Sequence, residues 1–592
     1  MKRPWSRPYS LVRLLRARLW LAALFGPGAL QGMLLYAGLV GFVGGLGAFG
    51  FTRLINVFAH LLTGQSGDLV HTARGFDWQH RLLVPVLGSF AAGVVMTLGM
   101  RLAHGRSSPD FMEAIVLKDG IIAPRPVLVR CTSSLLSIAS GGSMGREGPM
   151  VQLSAMLASW VGRLVRMPTP RRRLLVACGV AAGIASAYKA PIAGSLFVAE
   201  IVLGSIAMES FGPLVFAAVI ATLTNRQLLH LTQLPESTPL YAFAGVSLHS
   251  NWETIPYILL GLCAGGLAPF FLRLLRLSSA FFQSLGLPTA LRLAAGGVVV
   301  GTISIRHPEV WGNGQSVVTS LLHESWAYDA LFITLICKLL ATAATVGSGA
   351  VGGVFTPTLF VGATLGLLFE KCYHLLFPGL LLDPRAYALV GMGCFLAATT
   401  HAPLMAIIML FEMTLDYDLV LPLMLGCVTA YYTAYGIDRR SIYTEQVEQK
   451  RAAQRNRMRA VCVADILETA PSAVFETAVF LEVAKIFART QQNHLYVIDE
   501  ARRLRGIISL TDIREYLNDP ELAQLVYAYD IVNERFPVVT PEMSLPDAAR
   551  QFTKVAGERL PVINSPTTRT LVGSISKTDL LLTLAHDGAA GD

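Results

Sequence analysis

Ser140-Gly-Gly-Ser-Met-Gly-Arg-Glu-Gly-Pro149, followed by the mostly apolar run Met150–Val161, is the stretch on which the fold turns. Its glycines leave the backbone unshielded, so several amide N–H groups can face one small ligand. Pro149 suits the first turn of a helix, where its missing N–H costs nothing. A helix starting here offers unpaired donors and roughly half a positive charge at its N-terminus. Gly145, Arg146 and Gly148 are therefore candidate anion-binding residues. One acid, Glu147, stands among them. In an apolar sequence, a carboxylate at such a place either occupies the site or gates it. A simple helix-capping acid is the alternative reading.

The surrounding chain is apolar: of 592 residues, 53% are hydrophobic and only 15% charged. Runs of about 20 apolar residues, long enough to cross a bilayer, recur from about residue 20 to about residue 435. The expected architecture is an all-α polytopic membrane domain with a polar tail. A net charge of +9 does not imply nucleic acid, because much of the excess flanks the apolar runs. The clusters are Lys2, Arg3, Arg7, Arg13, Arg16 and Arg18; Arg171, Arg172 and Arg173; and Arg439 and Arg440. Such clusters mark the cytoplasmic side, which places the N-terminus there. A secretory leader over residues 1–35 is disfavoured, since no small-residue cleavage site is present and the apolar run continues past Phe51. The eight cysteines are scattered with no C-x-x-C pair, so reduced, buried thiols are expected and no metal site.

In chain order, Leu30–Leu62 is too long for a single untilted span if all of it is helical. A polar stretch, Thr63–Arg81, precedes a second span near Leu82–Leu102. His104-Gly-Arg-Ser-Ser-Pro-Asp-Phe-Met-Glu113 then reads either as a helix start capped by Ser107 or Ser108 or as a surface loop. Later segments repeat earlier ones. Lys189-Ala-Pro-Ile-Ala-Gly-Ser-Leu-Phe-Val-Ala-Glu200 recurs as His401-Ala-Pro-Leu-Met-Ala-Ile-Ile-Met-Leu-Phe-Glu412, 212 positions on. Gly347-Ser-Gly-Ala-Val-Gly-Gly-Val-Phe-Thr-Pro357 echoes the opening stretch, its proline 208 positions beyond Pro149. Paired, glycine/proline-broken apolar segments point to an internal inverted repeat, with the substrate site where the broken helices meet. Dehydrated halide there would be held by helix-end partial charges, without a full cation binding it too tightly. For Arg146 the expected role is a structural ion pair.

Two enzyme motifs compete for the same glycines. Gly141-Gly-Ser-Met-Gly145 matches a G-x-S-x-G nucleophile elbow, but that motif needs a preceding strand and an ordered acid and His. Gly347-x-Gly-x-x-Gly352 matches a dinucleotide fingerprint without a surrounding βαβ unit. Neither context is expected, and the chain does not read as an enzyme.

From Thr444 to Ala460 the composition turns charged, as in a linker. Beyond it, His494-Leu-Tyr-Val-Ile-Asp and Leu504-Arg-Gly-Ile-Ile-Ser-Leu-Thr-Asp-Ile513 read as strand, turn, strand and helix start. Arg559-Leu-Pro-Val-Ile-Asn and Leu571-Val-Gly-Ser-Ile-Ser-Lys-Thr-Asp-Leu580 repeat that pattern. The tail is two copies of one small α/β unit.

Gly145-Arg-Glu-Gly-Pro149 and Gly352-Gly-Val-Phe-Thr-Pro357 resemble the two central signatures of the CLC chloride channel and transporter family, and the duplicated Ala-Pro…Glu segments fit its inverted repeat. The likeness covers about residues 30–445. Trp311-Gly-Asn-Gly and Ser441-Ile-Tyr443 are most similar to the bacterial ClcB-type branch. The tail resembles a tandem pair of CBS domains. The implied layout is a basic cytoplasmic segment (1–28), a transmembrane anion-transport domain (29–443), a linker (444–460) and tandem CBS domains (461–592, with copies near 461–520 and 528–586).

The resemblance implies specific roles. Glu147 matches the external gating glutamate. The amides of Val354 and Phe355 match the inner anion-coordinating pair, and Tyr443 the tyrosine whose hydroxyl touches the central anion; an interfacial aromatic is its alternative reading. Two departures stand out. Aligning Pro109 with the family's G-S-G-I-P-E loop puts Arg106 at the anion-touching serine, leaving Ser107 or Ser108 to substitute through a shifted loop. The proton-handling glutamate of the antiporters falls at Ile201, and Glu200, one residue earlier, is rotated by about 100° on a helix. A chloride channel is thus expected, with a proton/chloride antiporter as the alternative. A non-conducting membrane anchor for a nucleotide-sensing module is the alternative of another class. Thr511, Asp512, Thr578 and Asp579 match the ribose-contacting positions of CBS pairs, which implies an adenine nucleotide there; helix N-caps are their other reading. No resident cofactor is implied. Chloride and other small anions, lipid and a second copy in a homodimer are the expected partners, in a bacterial inner membrane with N-terminus and tail cytoplasmic.

Overall fold

The computed structural model describes residues 30–64, 67–103, 110–232, 240–241, 254–378, 383–443, 461–469, 471–490, 493–517, 525–554 and 557–589. Ser107 and Ser108, with Arg106 and Pro109, lie outside them, as do the linker 444–460 and residues 1–29. The chain divides into two units, residues 1–447 and 448–592.

The regular elements of the first unit are helices among its described residues. Its helices are α1 (Leu30–Thr63), α2 (Leu69–Gly75), α3 (Trp78–Leu102), α4 (Phe111–Val116), α5 (Pro124–Ala139), α6 (Glu147–Leu164), α7 (Thr169–Tyr188) and α8 (Pro191–Phe197). A π-helical turn, Val198–Leu203, extends α8. There follow α9 (Met208–Leu231), α10 (Thr254–Ser284), α11 (Thr289–Ser304), α12 (Gln315–His323), α13 (Tyr328–Gly347), α14 (Phe355–Leu376), α15 (Pro384–Thr400), α16 (Pro403–Thr414) and α17 (Val420–Ile437). Seven of the described helices are long and apolar enough to span a bilayer. At 1.5 Å per residue α1 is about 51 Å long, well beyond a hydrocarbon core of about 30 Å, as its uninterrupted apolar run required. The outer helices turn Leu, Phe and Val outward, as with Leu87, Phe270 and Leu421, which suits a lipid surround rather than water. Helix α4 is capped by Asp110, whose carboxylate accepts the Phe111 N–H at 2.8 Å. The cap is thus Asp110 rather than a serine.

The duplication is visible in the backbone. α7 and α15 both end on a non-glycine residue in the left-handed region, Lys189 (φ 56°) and His401 (φ 58°). The next residues, Ala190 and Ala402, take nearly the same angles, φ −123°, ψ 81° and φ −131°, ψ 77°. A proline then opens α8 and α16. The two acids that close the repeated segments cap each other's helices. Glu412 accepts the N–H groups of Ile192 (3.0 Å) and Ala193 (2.8 Å) at the start of α8. Glu200 accepts those of Leu404 (3.3 Å) and Met405 (2.8 Å) at the start of α16. Each carboxylate sits toward the end of its own segment and meets the start of the other, so α8 and α16 run antiparallel and the repeat is inverted. Small residues bring the second-half helices together: a Cβ on Gly362 of α14 would lie 2.5 Å from the Gly391 carbonyl of α15, the close approach expected where apolar solvent gives no drive of its own.

In the second unit, β1 (Ala473–Phe475), β2 (His494–Ile498) and β3 (Leu504–Ser509) form one sheet, with β1 parallel and β3 antiparallel to β2. β4 (Arg559–Ile563) and β5 (Leu571–Ser576) pair antiparallel. Helices α18 (Phe480–Arg489), α19 (Arg514–Leu517), α20 (Ala528–Ile531), α21 (Leu545–Phe552) and α22 (Lys577–Ala589) complete it. One core gathers Phe480, Val483, Leu495, Val497 and Ile508, the other Leu545, Phe552, Leu560, Val562 and Ile575. Tyr496, Leu504, Ile507 and Ile563 join the two copies.

Candidate anion site between the two halves

Ser140–Arg146 forms a tight loop between α5 and α6. The Gly142 N–H returns to the Ser137 carbonyl (2.9 Å), and Gly141 takes φ +90° against the face of Trp311. The second-half loop meets it head on. Gly145 N–H donates to the Gly353 carbonyl at 2.7 Å, and Gly353 N–H to the Gly145 carbonyl at 2.9 Å. This two-bond bridge sets the starts of α6 and α14 side by side.

Glu147 is the first residue of α6 and 5% exposed, yet its carboxylate serves α14. Oε1 accepts the Thr356 N–H at 2.9 Å and Oε2 the Thr356 hydroxyl at 3.2 Å. A Cβ on Gly145 or Gly353 would fall against that carboxylate, so glycine at both places leaves room for it on Thr356. The Val354 and Phe355 amides have no acceptor among the described residues. Phe355 packs at 4.8 Å, tilted by 38°, against Tyr188, whose hydroxyl meets the Thr356 hydroxyl at 3.0 Å. Phe197, at the end of α8, packs against both Phe355 (6.5 Å) and Tyr443 (5.2 Å, edge-on). The Ile442 N–H bonded to the Thr399 carbonyl (3.1 Å) holds Tyr443 in place. The arrangement is buried and built from two helix starts, with one carboxylate seated on donors of the opposite helix.

Of the residues expected from sequence, Gly145, Glu147, Gly148, Val354, Phe355 and Tyr443 come together here. Arg146 caps α6 through its backbone, but its guanidinium makes no ion pair or hydrogen bond among the described residues, so the expected structural pair is absent from them. Ser143 is occupied by threonines: its N–H donates to Thr345 (3.2 Å) and its hydroxyl is shared with Thr342 (3.1 Å). His401 instead meets Tyr431 and Tyr435 edge-on, so no nucleophile elbow forms. Gly347–Gly352 joins two helices rather than strand and helix. Ile201 lies in the π turn, packed on the hydrophobic core, and the Glu200 carboxylate is committed to α16. Sequence reasoning missed Lys338. It is fully buried on α13 and donates to the carbonyls of Val310 (3.1 Å) and Gly312 (2.9 Å), 5.3 Å from the Phe360 ring. It thereby fixes the Trp311 loop behind Gly141. A lysine inside an apolar helix was the available signal.

In the tail, Thr511 and Asp512 line an open cleft of about 660 Å³ with Tyr516, Asn533, Glu534 and Arg535. Thr578 and Asp579 are not among its lining residues. Asp512 and Asp579 each also make a local cap, Asp512 on the Ser509 N–H (2.8 Å) and Asp579 on the Ser576 hydroxyl (2.6 Å).

Residues 87–435 match the voltage gated chloride channel family, and residues 463–519 and 528–586 each match the CBS domain. The chain belongs to this CLC family of multi-pass membrane anion-transport proteins and carries two CBS domains. It is 49% identical over 423 residues to a protein of Ralstonia nicotianae named as a ClcB-like chloride channel protein, covering 71% of this chain and 97% of that one. It is 38% identical over 421 residues to the voltage-gated ClC-type chloride channel ClcB of Citrobacter koseri, covering 70% and 99%. A cyanobacterial Cl−/H+ antiporter has the same fold, with a TM-score of 0.62 at 24% identity over 72% of this chain and 99% of that one.

Proposed function

We propose that this protein is a passive chloride channel gated by Glu147. The observation that carries the reading is the Glu147 carboxylate seated on the Thr356 N–H and hydroxyl, at the start of the opposite half's helix. Its place is one a chloride ion would take, so anion and carboxylate compete for the same donors. Phe355, Val354 and Tyr443 form the inner wall, with two amides and a phenol as donors. Passive conduction is favoured over proton coupling because Ile201 cannot carry a proton and Glu200 is held by two amides. The protein works as a homodimer in a bacterial inner membrane, with the arginine-flanked end of α17 and the tail in the cytoplasm.

The test is chloride efflux from proteoliposomes with membrane potential clamped. Flux reversing at the chloride equilibrium potential without proton movement is the expected result; proton uptake driven uphill by a chloride gradient would make the protein an antiporter. Efflux no faster than from empty vesicles would leave the membrane anchor as the reading. For the tail, we propose that the cleft at Thr511 and Asp512 takes an adenine nucleotide. Equilibrium binding of ATP to the full chain, weakened by Asp512→Asn, is expected; binding unaltered by that change would place the nucleotide elsewhere.

A further inference from the structure

Three of the six residues Ser140–Gly145 are glycine, so this loop does not hold its own shape and takes it from its surroundings. Much of that shape comes from α13. Thr345, 3% exposed, accepts the Ser143 N–H on its hydroxyl oxygen at 3.2 Å and donates its own O–H to the Ala341 carbonyl at 2.8 Å. Thr342, 1% exposed, shares a hydrogen bond with the Ser143 hydroxyl at 3.1 Å. One turn further back, Lys338 holds the carbonyls of Val310 and Gly312. The Trp311 ring between them lies against Gly141, and the Gly312 N–H meets the Gly141 carbonyl at 3.4 Å. Positions 338, 342 and 345 are four and three residues apart, which puts them on one face of the helix. That face holds the loop at Gly141, through Trp311, and again at Ser143, just before the bridge from Gly145 to Gly353.

The same helix also leads to the other side of the gate. It runs directly into the Gly347–Gly353 loop and so into α14, whose Thr356 receives the Glu147 carboxylate. One helix thus sets both the loop that delivers the carboxylate and the seat that accepts it. We infer that Thr342 and Thr345 are positioning residues for the gate: by gripping Ser143 they keep Glu147, a few residues on, in register with Thr356. The inference rests on Glu147 being the gate and assigns the residues that set how firmly it closes. The requirement is geometric, because a hydrogen bond weakens steeply once its donor is misaligned. A buried Ser143 N–H deprived of its acceptor is costly, and the glycines beside it let the loop move to find another.

The experiment is a mutant square in proteoliposome chloride efflux across a pH series: the native chain, Thr345→Val, Glu147→Ala and the double variant, with Thr345→Ser as the rescue. Valine keeps the outline of threonine and deletes the hydroxyl, whereas serine keeps the hydroxyl. With Glu147 present, Thr345→Val is expected to speed efflux about three- to tenfold at neutral pH, the scale of one hydrogen bond, and to flatten its rise in acid. Thr345→Ser should behave as the native chain. With Glu147 replaced by alanine, Thr345→Val is expected to change neither rate nor pH profile. Any other pattern overturns the positioning role: an equal effect in both backgrounds, none in either, or a serine variant that behaves like valine. Should Thr345→Val not be recovered folded, Thr342→Val and Thr342→Ser take its place, read by the same outcomes. Glu147→Ala separates the claims. If it leaves the pH dependence of efflux intact, the gate and its positioning both fall; if it abolishes that dependence and the square is uncoupled, only the positioning falls.

Discussion

Glu147→Ala is expected to raise chloride efflux about tenfold at neutral pH and to make it independent of pH. The carboxylate holds the Thr356 N–H at 2.9 Å and the Thr356 hydroxyl at 3.2 Å. Hydrogen bonds to a charged group contribute roughly 1.5–3 kcal/mol each, and each 1.4 kcal/mol is about a factor of ten. Part of that is recovered when chloride takes the same donors, which leaves about tenfold. The sign with pH follows from charge: a protonated carboxyl binds an N–H donor less well than a carboxylate, so acid frees the gate and native efflux should rise as pH falls. Gly353→Ala gives an independent check. Its Cβ would lie 2.6 Å from Oε1 of Glu147, so it should push the carboxylate off Thr356 and reproduce the alanine phenotype with Glu147 still present. Native-like pH dependence in both variants would remove Glu147 from the gate.

Glu412→Ala is expected to destabilise the membrane unit by about 2–4 kcal/mol, because it strips the Ile192 and Ala193 amides of their acceptor at a helix start inside an apolar unit. Glu200→Ala should cost a similar amount at the other end of the pair. The stretch of α16 from Leu404 to Glu412 separates the caps by about 12 Å, so the two losses should add. Glutamine at either place keeps one acceptor oxygen and should fall between. Thermal unfolding of the purified protein in detergent reads the order native, glutamine, alanine, double variant; identical midpoints for native and Glu412→Ala would show the caps to be dispensable. The effect reaches the anion path, because α8 ends in Phe197, which props Phe355 and Tyr443.

The halves of the fold were legible where residue type alone dictates geometry. Pro149, Pro191, Pro357 and Pro403 each open a helix, and the nearly equal spacings between them announced the inverted pairing. Glu147 was legible because an acid in an apolar glycine loop has few other uses. What stayed hidden depended on contacts between distant segments. Glu200 and Glu412 are marks of a repeat in the sequence; only their positions beside Met405 and Ala193 reveal them as reciprocal caps. Asp110 caps α4 in place of Ser107 or Ser108, because the local pattern offers three closely spaced side-chain oxygens and nothing to choose among them. Lys338 is a single polar residue whose surroundings no spacing announces.

The repeat is broken where the starts of its two central helices meet. Glu147 and Phe355 occupy equivalent places, each the first residue of its helix, yet one is a carboxylate and the other a ring. A passage built from two identical halves would look alike from either end. In the proposed channel, an ion arriving from one side meets a charge that has to step aside, while from the other it meets a ring flanked by neutral donors. A single side-chain difference therefore gives the conduit a front and a back, and rectification under reversed gradients is the property that would express it.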